Sequence, residues 1–253
     1  MLINSFLIFF IIGLFLNYIY FKSAKKFNII ALIKDRSLHD NSSFTGAGAV
    51  FAIPFLIYSY YNFENFGNLN ILVISGLIIV ILVGIYDDIK GIKPYIKLIS
   101  QFLLSLLIIF YFRGILNNSL FFISITCLAI TWYFNMFNFI DGSNGFAAIN
   151  FLLPVSTLII FNDTDSYLNS LTLNVLFPLL LSFLIFNLKG RYFMGETGSY
   201  FLSFILLLNL LEYFGTYQDF FILLIIFNYI IIDTNITIFY RLFKTKFWYK
   251  EHR

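Results

Sequence analysis

"NILVISGLIIVILVGIYDDIKGIKPYIK", Asn70 to Lys97, passes from an unbroken apolar run into two adjacent aspartates and three lysines. The run has the length a helix needs to cross the hydrocarbon of a bilayer, about 20 residues at about 1.5 Å each. Asp87 and Asp88 mark its polar end. Two like charges side by side are costly there unless a cation or a proton offsets them. Lys90, Lys93 and Lys97 stand close enough in sequence to supply that charge.

The same pattern of greasy run and polar edge recurs along the chain. Of 253 residues, 60% are hydrophobic and 11% charged, and the mean hydropathy is +0.88. A soluble domain carries roughly 25% charged residues, so that class is excluded. Nine apolar segments can be marked: Leu2–Phe21, Ala47–Tyr61, Ile71–Tyr86, Ile96–Phe112, Leu120–Phe134, Phe146–Phe161, Leu171–Leu188, Tyr200–Leu211 and Phe220–Phe239. The expected fold is therefore all-α, a polytopic integral membrane helical bundle of about nine transmembrane helices in one domain, residues 1–253. The 35 Phe and 17 Tyr fit lipid-facing and interfacial positions better than a ligand site. The single cysteine, Cys127, excludes a disulfide within the chain and reads as a buried, inert thiol.

Orientation follows from the basic residues. The first segment has no basic residues before it and Lys22, Lys25 and Lys26 after it, so it reads as a retained anchor with its N-terminus outside. Alternate threading then puts Lys34, Arg36, Lys90, Lys93, Lys97, Lys189, Arg191 and the basic tail on that same inner side, leaving Arg113 opposite. This asymmetry predicts a multi-pass protein of the cytoplasmic (inner) membrane with its C-terminus in the cytoplasm. The formal charge of +3 then reflects membrane orientation and contact with anionic lipid, with no nucleic acid expected as a partner.

The polar clusters fall on the cytoplasmic side as well. In "NMFNFIDGSNGF", Asn135, Asn138 and Asp141 are spaced to share one face of a helix end, before Gly142 and Gly145 turn the chain. In "FMGETGS", Glu196 sits between Gly195 and Gly198, as at a helix start with free N–H groups. Each cluster alone could be a solvated helix end. Together, acids, lysines and glycine turns on one face suit phosphate handling with a divalent cation, because Mg2+ takes a few carboxylate oxygens and leaves room for phosphates.

These motifs, in this order, resemble those of the polyprenyl-phosphate N-acetylhexosamine-1-phosphate transferases, a family of membrane enzymes. "DDIKGIKPYIKLISQ" is similar to the family's aspartate pair with its following lysine and glutamine, matching Asp87, Asp88, Lys97 and Gln101. "NMFNFIDGSNG" resembles the N-x-x-N-x-x-D-G motif, "MGETGS" the M-G-D-x-G-S motif, and Asp233, Thr234 and Arg241 a later D-T and arginine. The resemblance runs from about residue 36 onward. It implies transfer of an N-acetylhexosamine 1-phosphate from a UDP-sugar to undecaprenyl phosphate, releasing UMP and starting a cell-envelope polysaccharide such as the O-antigen of lipopolysaccharide. Asp87, Asp88 and Asp141 would be catalytic, Lys97, Asn135 and Asn138 would bind substrate, and Glu196 with Asp88 would hold Mg2+ on the cytoplasmic face. The implied partners are membrane lipid, undecaprenyl phosphate and UDP-N-acetylhexosamine, with a homodimer as an option.

Three departures stand out. Glu196 replaces the aspartate of M-G-D, and its extra methylene strains octahedral Mg2+ geometry, so that Mn2+ is an alternative. "DRSLHDNSSFTGAGAV" keeps Arg36, Ser37 and His39 of an R-x-x-H stretch, making His39 a substrate-binding candidate, without the following Pro-Arg and one glycine. "KEHR" ends the sequence at the first histidine of an A-H-R-x-H motif, making His252 a substrate-binding candidate and leaving out the family's terminal helix. A truncated, weakly active or inactive member and a secondary transporter are the competing expectations; most acids lie at segment ends rather than near the midplane, which disfavours the transporter.

Overall fold

A computed structural model describes residues 2–27, 44–112, 120–140, 144–161 and 166–213, with isolated positions at 232, 235, 236, 240 and 243. The described residues are mostly helical, and the only β-pairing among them is a single parallel bridge between Phe44 and Tyr192. In chain order the helices are α1 (Leu2–Phe27), α2 (Ala49–Tyr61), α3 (Asn70–Lys90), α4 (Pro94–Tyr111), α5 (Leu120–Phe139), α6 (Phe146–Phe161), α7 (Tyr167–Leu171), α8 (Phe177–Asn187) and α9 (Gly195–Tyr213). A 3-10 turn, Phe63–Leu69, leads into α3, and a π turn, Thr172–Leu176, joins α7 to α8. Among the described residues four helical runs are long and apolar enough to cross a membrane: Asn4–Ala24, Phe63–Lys90, Pro94–Tyr111 and Tyr167–Asn187. Eight of the nine apolar segments coincide with helices; the ninth, Phe220–Phe239, lies outside the described residues but for positions 232, 235 and 236.

Helix α9 is the hub. Every residue from Thr197 to Leu210 is buried, as expected of a helix that is apolar all round. It is packed by α2, α3, α5 and α6. Its closest neighbour is α3, and glycine sets that closeness. A Cβ on Gly76 would stand 2.1 Å from the Phe204 ring, and one on Gly84 would stand 2.4 Å from the Thr197 Cα. Small residues let membrane helices approach until their backbones nearly touch. Gly76, Val80, Gly84 and Asp88 are spaced by four, so one ridge of α3 faces α9 and ends in a carboxylate.

A second seam joins α1 to α8. A Cβ on Gly13 would stand 2.1 Å from Ser182 Oγ, and the fully buried Asn17 donates to Ser182 Oγ (3.1 Å) and to the Gly13 carbonyl (2.8 Å). Tyr192, before α9, donates its hydroxyl to Asn17 Oδ1. Burial, with Tyr20 nearby, holds this phenol well above its ordinary range, against the opposing effect of Arg191, so it remains a protonated donor. The lipid-facing surface is apolar, with Ile11 and Phe15 on α1 and Leu103 and Phe110 on α4 exposed.

Candidate active site

The start of α9 is assembled from three chain segments. Residues 44–48 run beside 192–194: Phe193 N–H donates to the Phe44 carbonyl (2.8 Å), Ala47 N–H to Phe193 (3.2 Å) and Gly48 N–H to Met194 (2.8 Å). This brings Gly46 and Gly195 together around Asp88. Both glycines have positive φ, +84° and +73°, a region other residues rarely adopt. A Cβ on Gly195 would also stand 2.4 Å from Asp88 Oδ1.

Asp88 turns into this cradle. Its Oδ1 accepts the Glu196 N–H at 2.9 Å, and its Oδ2 accepts the Thr197 N–H at 3.0 Å and the Thr197 hydroxyl at 2.6 Å. An anion at the positive end of a helix macrodipole is stabilising. Asp87, one residue and about 100° earlier on α3, faces elsewhere. Its Oδ1 accepts the Ile92 N–H at 2.6 Å, just after Gly91 ends the helix with φ +72°. Its Oδ2 lies 3.8 Å from Lys97 Nζ.

Lys97 is the pivot of the charged group. Its ammonium pairs with Glu196 Oε2 as well as Asp87, and so bridges acids from α3 and α9. The Lys97 side chain is 14% exposed and that of Glu196 29%, so a solute can reach both. Asn138 on α5 donates to Glu196 Oε1 at 2.9 Å, and its own carboxamide oxygen accepts the Ser199 hydroxyl at 2.8 Å. One turn back on α5, Asn135 donates to Gln101 Oε1 at 2.6 Å and to the Thr131 carbonyl at 2.9 Å. Lys97 and Gln101 share one face of α4, as Asn135 and Asn138 share one face of α5.

The structure therefore brings together Asp87, Asp88, Lys97, Asn138 and Glu196 at one end of the bundle, with Asn135 one turn deeper. Asp141, His39 and His252 lie outside the described residues. Lys90 and Lys93 do not join the group; they lie over the rings of Tyr86 and Tyr95, at 5.3 and 6.0 Å. Two participants had not stood out in sequence: Gly46 as a partner of Asp88, and Asn187, which accepts the Gly145 N–H at 2.6 Å and donates to the Tyr192 carbonyl at 2.8 Å. Asn17 could have been found, because a carboxamide inside an apolar run needs a partner. Among the described residues no cluster of three acidic, histidine or cysteine side chains forms a metal centre. The Asp87 and Glu196 carboxylates are nevertheless hard oxygen donors on either side of one cation, a set suited to Mg2+.

The model of glycosyl transferase family 4 matches residues 70–213, which hold all five converging side chains. Phospho-N-acetylmuramoyl-pentapeptide-transferase of Fervidobacterium nodosum is 30% identical over 118 residues. That alignment covers 43% of this chain and 38% of the relative, so the chain matches well under half of that protein's length. With more than half of its residues matched by the family model, the chain belongs to glycosyl transferase family 4.

Proposed function

We propose that this protein transfers a sugar 1-phosphate from a nucleotide sugar to undecaprenyl phosphate at the cytoplasmic face of the inner membrane, releasing UMP. The observation that carries the reading is the bridge of Lys97 between Asp87 and Glu196, partly open at the end of an apolar bundle. A polyprenyl phosphate has to keep its tail in lipid and its phosphate at such an end. Lys97 is the cation for a phosphate oxygen. Asp87 is the general base that takes up the acceptor phosphate's proton, or the acid in contact with that phosphate. Glu196, steadied by Asn138, is the divalent-ion ligand; by family resemblance Asp141 belongs to the nucleotide and catalytic cluster, and His39 and His252 contact substrate. Mg2+, or Mn2+ in its place, would supply charge neutralisation at the phosphates. Asn135 and Asn138 hold their carboxamides along the same wall.

The test is UMP release from the purified protein in nanodiscs. Release is expected only when undecaprenyl phosphate, a UDP-N-acetylhexosamine and a divalent cation are all present, and it is expected to vanish in Asp87→Ala. UMP formed without the lipid phosphate, or at the wild-type rate in that variant, overturns the reading. The name of the Fervidobacterium relative favours a second donor, UDP-N-acetylmuramoyl-pentapeptide. Offering it beside UDP-GlcNAc, UDP-GalNAc and a UDP-deoxyaminosugar assigns the sugar.

A further inference from the structure

We infer that Asp88 is a positioning residue, the anchor of the first turn of α9, and that it sets where the Glu196 carboxylate stands. This rests on the function proposed above and departs from the catalytic and Mg2+-holding role that resemblance gives Asp88. Three donors from α9 converge on the two oxygens of this carboxylate: the Glu196 N–H, the Thr197 N–H and the Thr197 hydroxyl, at 2.6 to 3.0 Å. Gly195 and Gly46 close over the same oxygens, with no room for a Cβ on Gly195. Both oxygens of this carboxylate are thus engaged by the helix end. Asp87 has no comparable cage.

The consequence for the site is geometric. The backbone of Glu196 is fixed by Asp88, and its side chain by Lys97 and Asn138. When the backbone anchor is lost, the first turn frays and Glu196 is no longer held against Lys97. A residue acting in this way controls turnover through its neighbour, without touching the reacting atoms.

The test uses the full chain in nanodiscs and two readouts. Amide hydrogen exchange in the peptide holding Glu196 and Thr197 is expected to quicken about 10-fold or more in Asp88→Asn, and to change by less than about 2-fold in Asp87→Asn. Mn2+ binding, followed by electron paramagnetic resonance, is expected to weaken in Thr197→Val as well as in Asp88→Asn, because both loosen the turn that carries Glu196, whereas a direct ligand role for Asp88 predicts a loss in Asp88→Asn alone. Unchanged exchange in Asp88→Asn, or Mn2+ affinity lost in Asp88→Asn and unchanged in Thr197→Val, overturns the inference. Should Asp88→Asn fail to fold, Thr197→Val deletes one of the three donors and Thr197→Ser restores it. Faster exchange in the valine variant and recovery in the serine variant support the assignment; equal exchange in both overturns it. Neither readout needs UMP release, so a protein that fails the transfer assay still decides this point.

Discussion

The seam between α1 and α8 and the junction at the start of α9 both place polar side chains in a chain that has few, and both rest on a glycine that lets two backbones close up. They differ in what those side chains are left free to do. In the seam, Asn17, Ser182 and Tyr192 are neutral, fully buried and bonded to one another. In the junction, Asp87, Lys97 and Glu196 are ionisable, 14 to 29% exposed and held by partners that a phosphate or a cation could replace. A neutral network closed to solvent fixes architecture; a charged one open at its rim can exchange partners. Asp88 lies at the boundary, charged like the second and caged like the first.

The largest effects should fall on the open junction. Asp87→Asn and Glu196→Gln each keep the shape of the side chain while removing charge beside Lys97. Each is expected to lower UMP release by about 100-fold or more, the scale seen when a transition-state electrostatic contact is deleted. Thermal unfolding in nanodiscs should barely move, because neither residue is part of the packed core. Turnover near wild type in both variants would erase the distinction drawn between the two regions.

Next comes a substitution expected to damage both fold and turnover. Gly84→Ala puts a methyl group 2.4 Å from the Thr197 Cα, where the obstacle is backbone and cannot swing aside. Overpacking of this kind costs about 1–3 kcal/mol. It also pushes the first turn of α9 away from Asp88, so stability and UMP release should fall together. Gly67→Ala is the control: nothing lies within 4 Å of its Cβ position, although its φ of +56° still disfavours a side chain. Its loss should appear in stability with turnover retained.

The seam predicts a smaller and purely structural effect. Asn17→Leu leaves the Tyr192 hydroxyl without its acceptor, and a buried polar group left unpaired costs about 1–3 kcal/mol. Tyr192→Phe in the same chain removes the orphan, so the double variant should regain part of the stability lost by Asn17→Leu alone. Chemical denaturation measures both, and UMP release per folded molecule should match wild type. A double variant less stable than Asn17→Leu would show that Tyr192 contributes through its ring packing on Phe186 rather than through this bond.

How much of this could be read from the chain follows from which forces act locally. The helices were legible because membrane-length apolar runs announce them, and Gly195 and Glu196 open α9 where the glycine pattern suggested a helix start. The partners of the acids were not. Asp87 and Asp88 are chemically identical neighbours, and only the helical phase of α3 separates them. The signal was present in the spacing of Gly76, Gly84 and Asp88, which defines the face turned to another helix, but which helix lay there was a long-range fact. The identity of the counter-charge was equally hidden. Lys90 and Lys93 are nearer to the aspartates in sequence than Lys97, yet Lys97 makes the pair, because it lies one turn into α4 with its face toward α9.

That choice among three lysines gives the smallest and sharpest test. Lys90 and Lys93 are exposed and lie over tyrosine rings, contacts worth about 0.5–1 kcal/mol at open sites. Lys90→Ala and Lys93→Ala should therefore leave stability within about 1 kcal/mol and UMP release within about 2-fold of wild type. Lys97→Ala should lose far more turnover, since it leaves Asp87 and Glu196 facing each other without the cation between them. A weaker dependence of rate on membrane anionic lipid in the Lys90 and Lys93 variants would fit residues that only meet the headgroups. If instead either variant lost turnover as Lys97→Ala does, the charge at this end of the bundle would act as a diffuse field, and the bridge from α3 through α4 to α9 would not be the feature that organises the site.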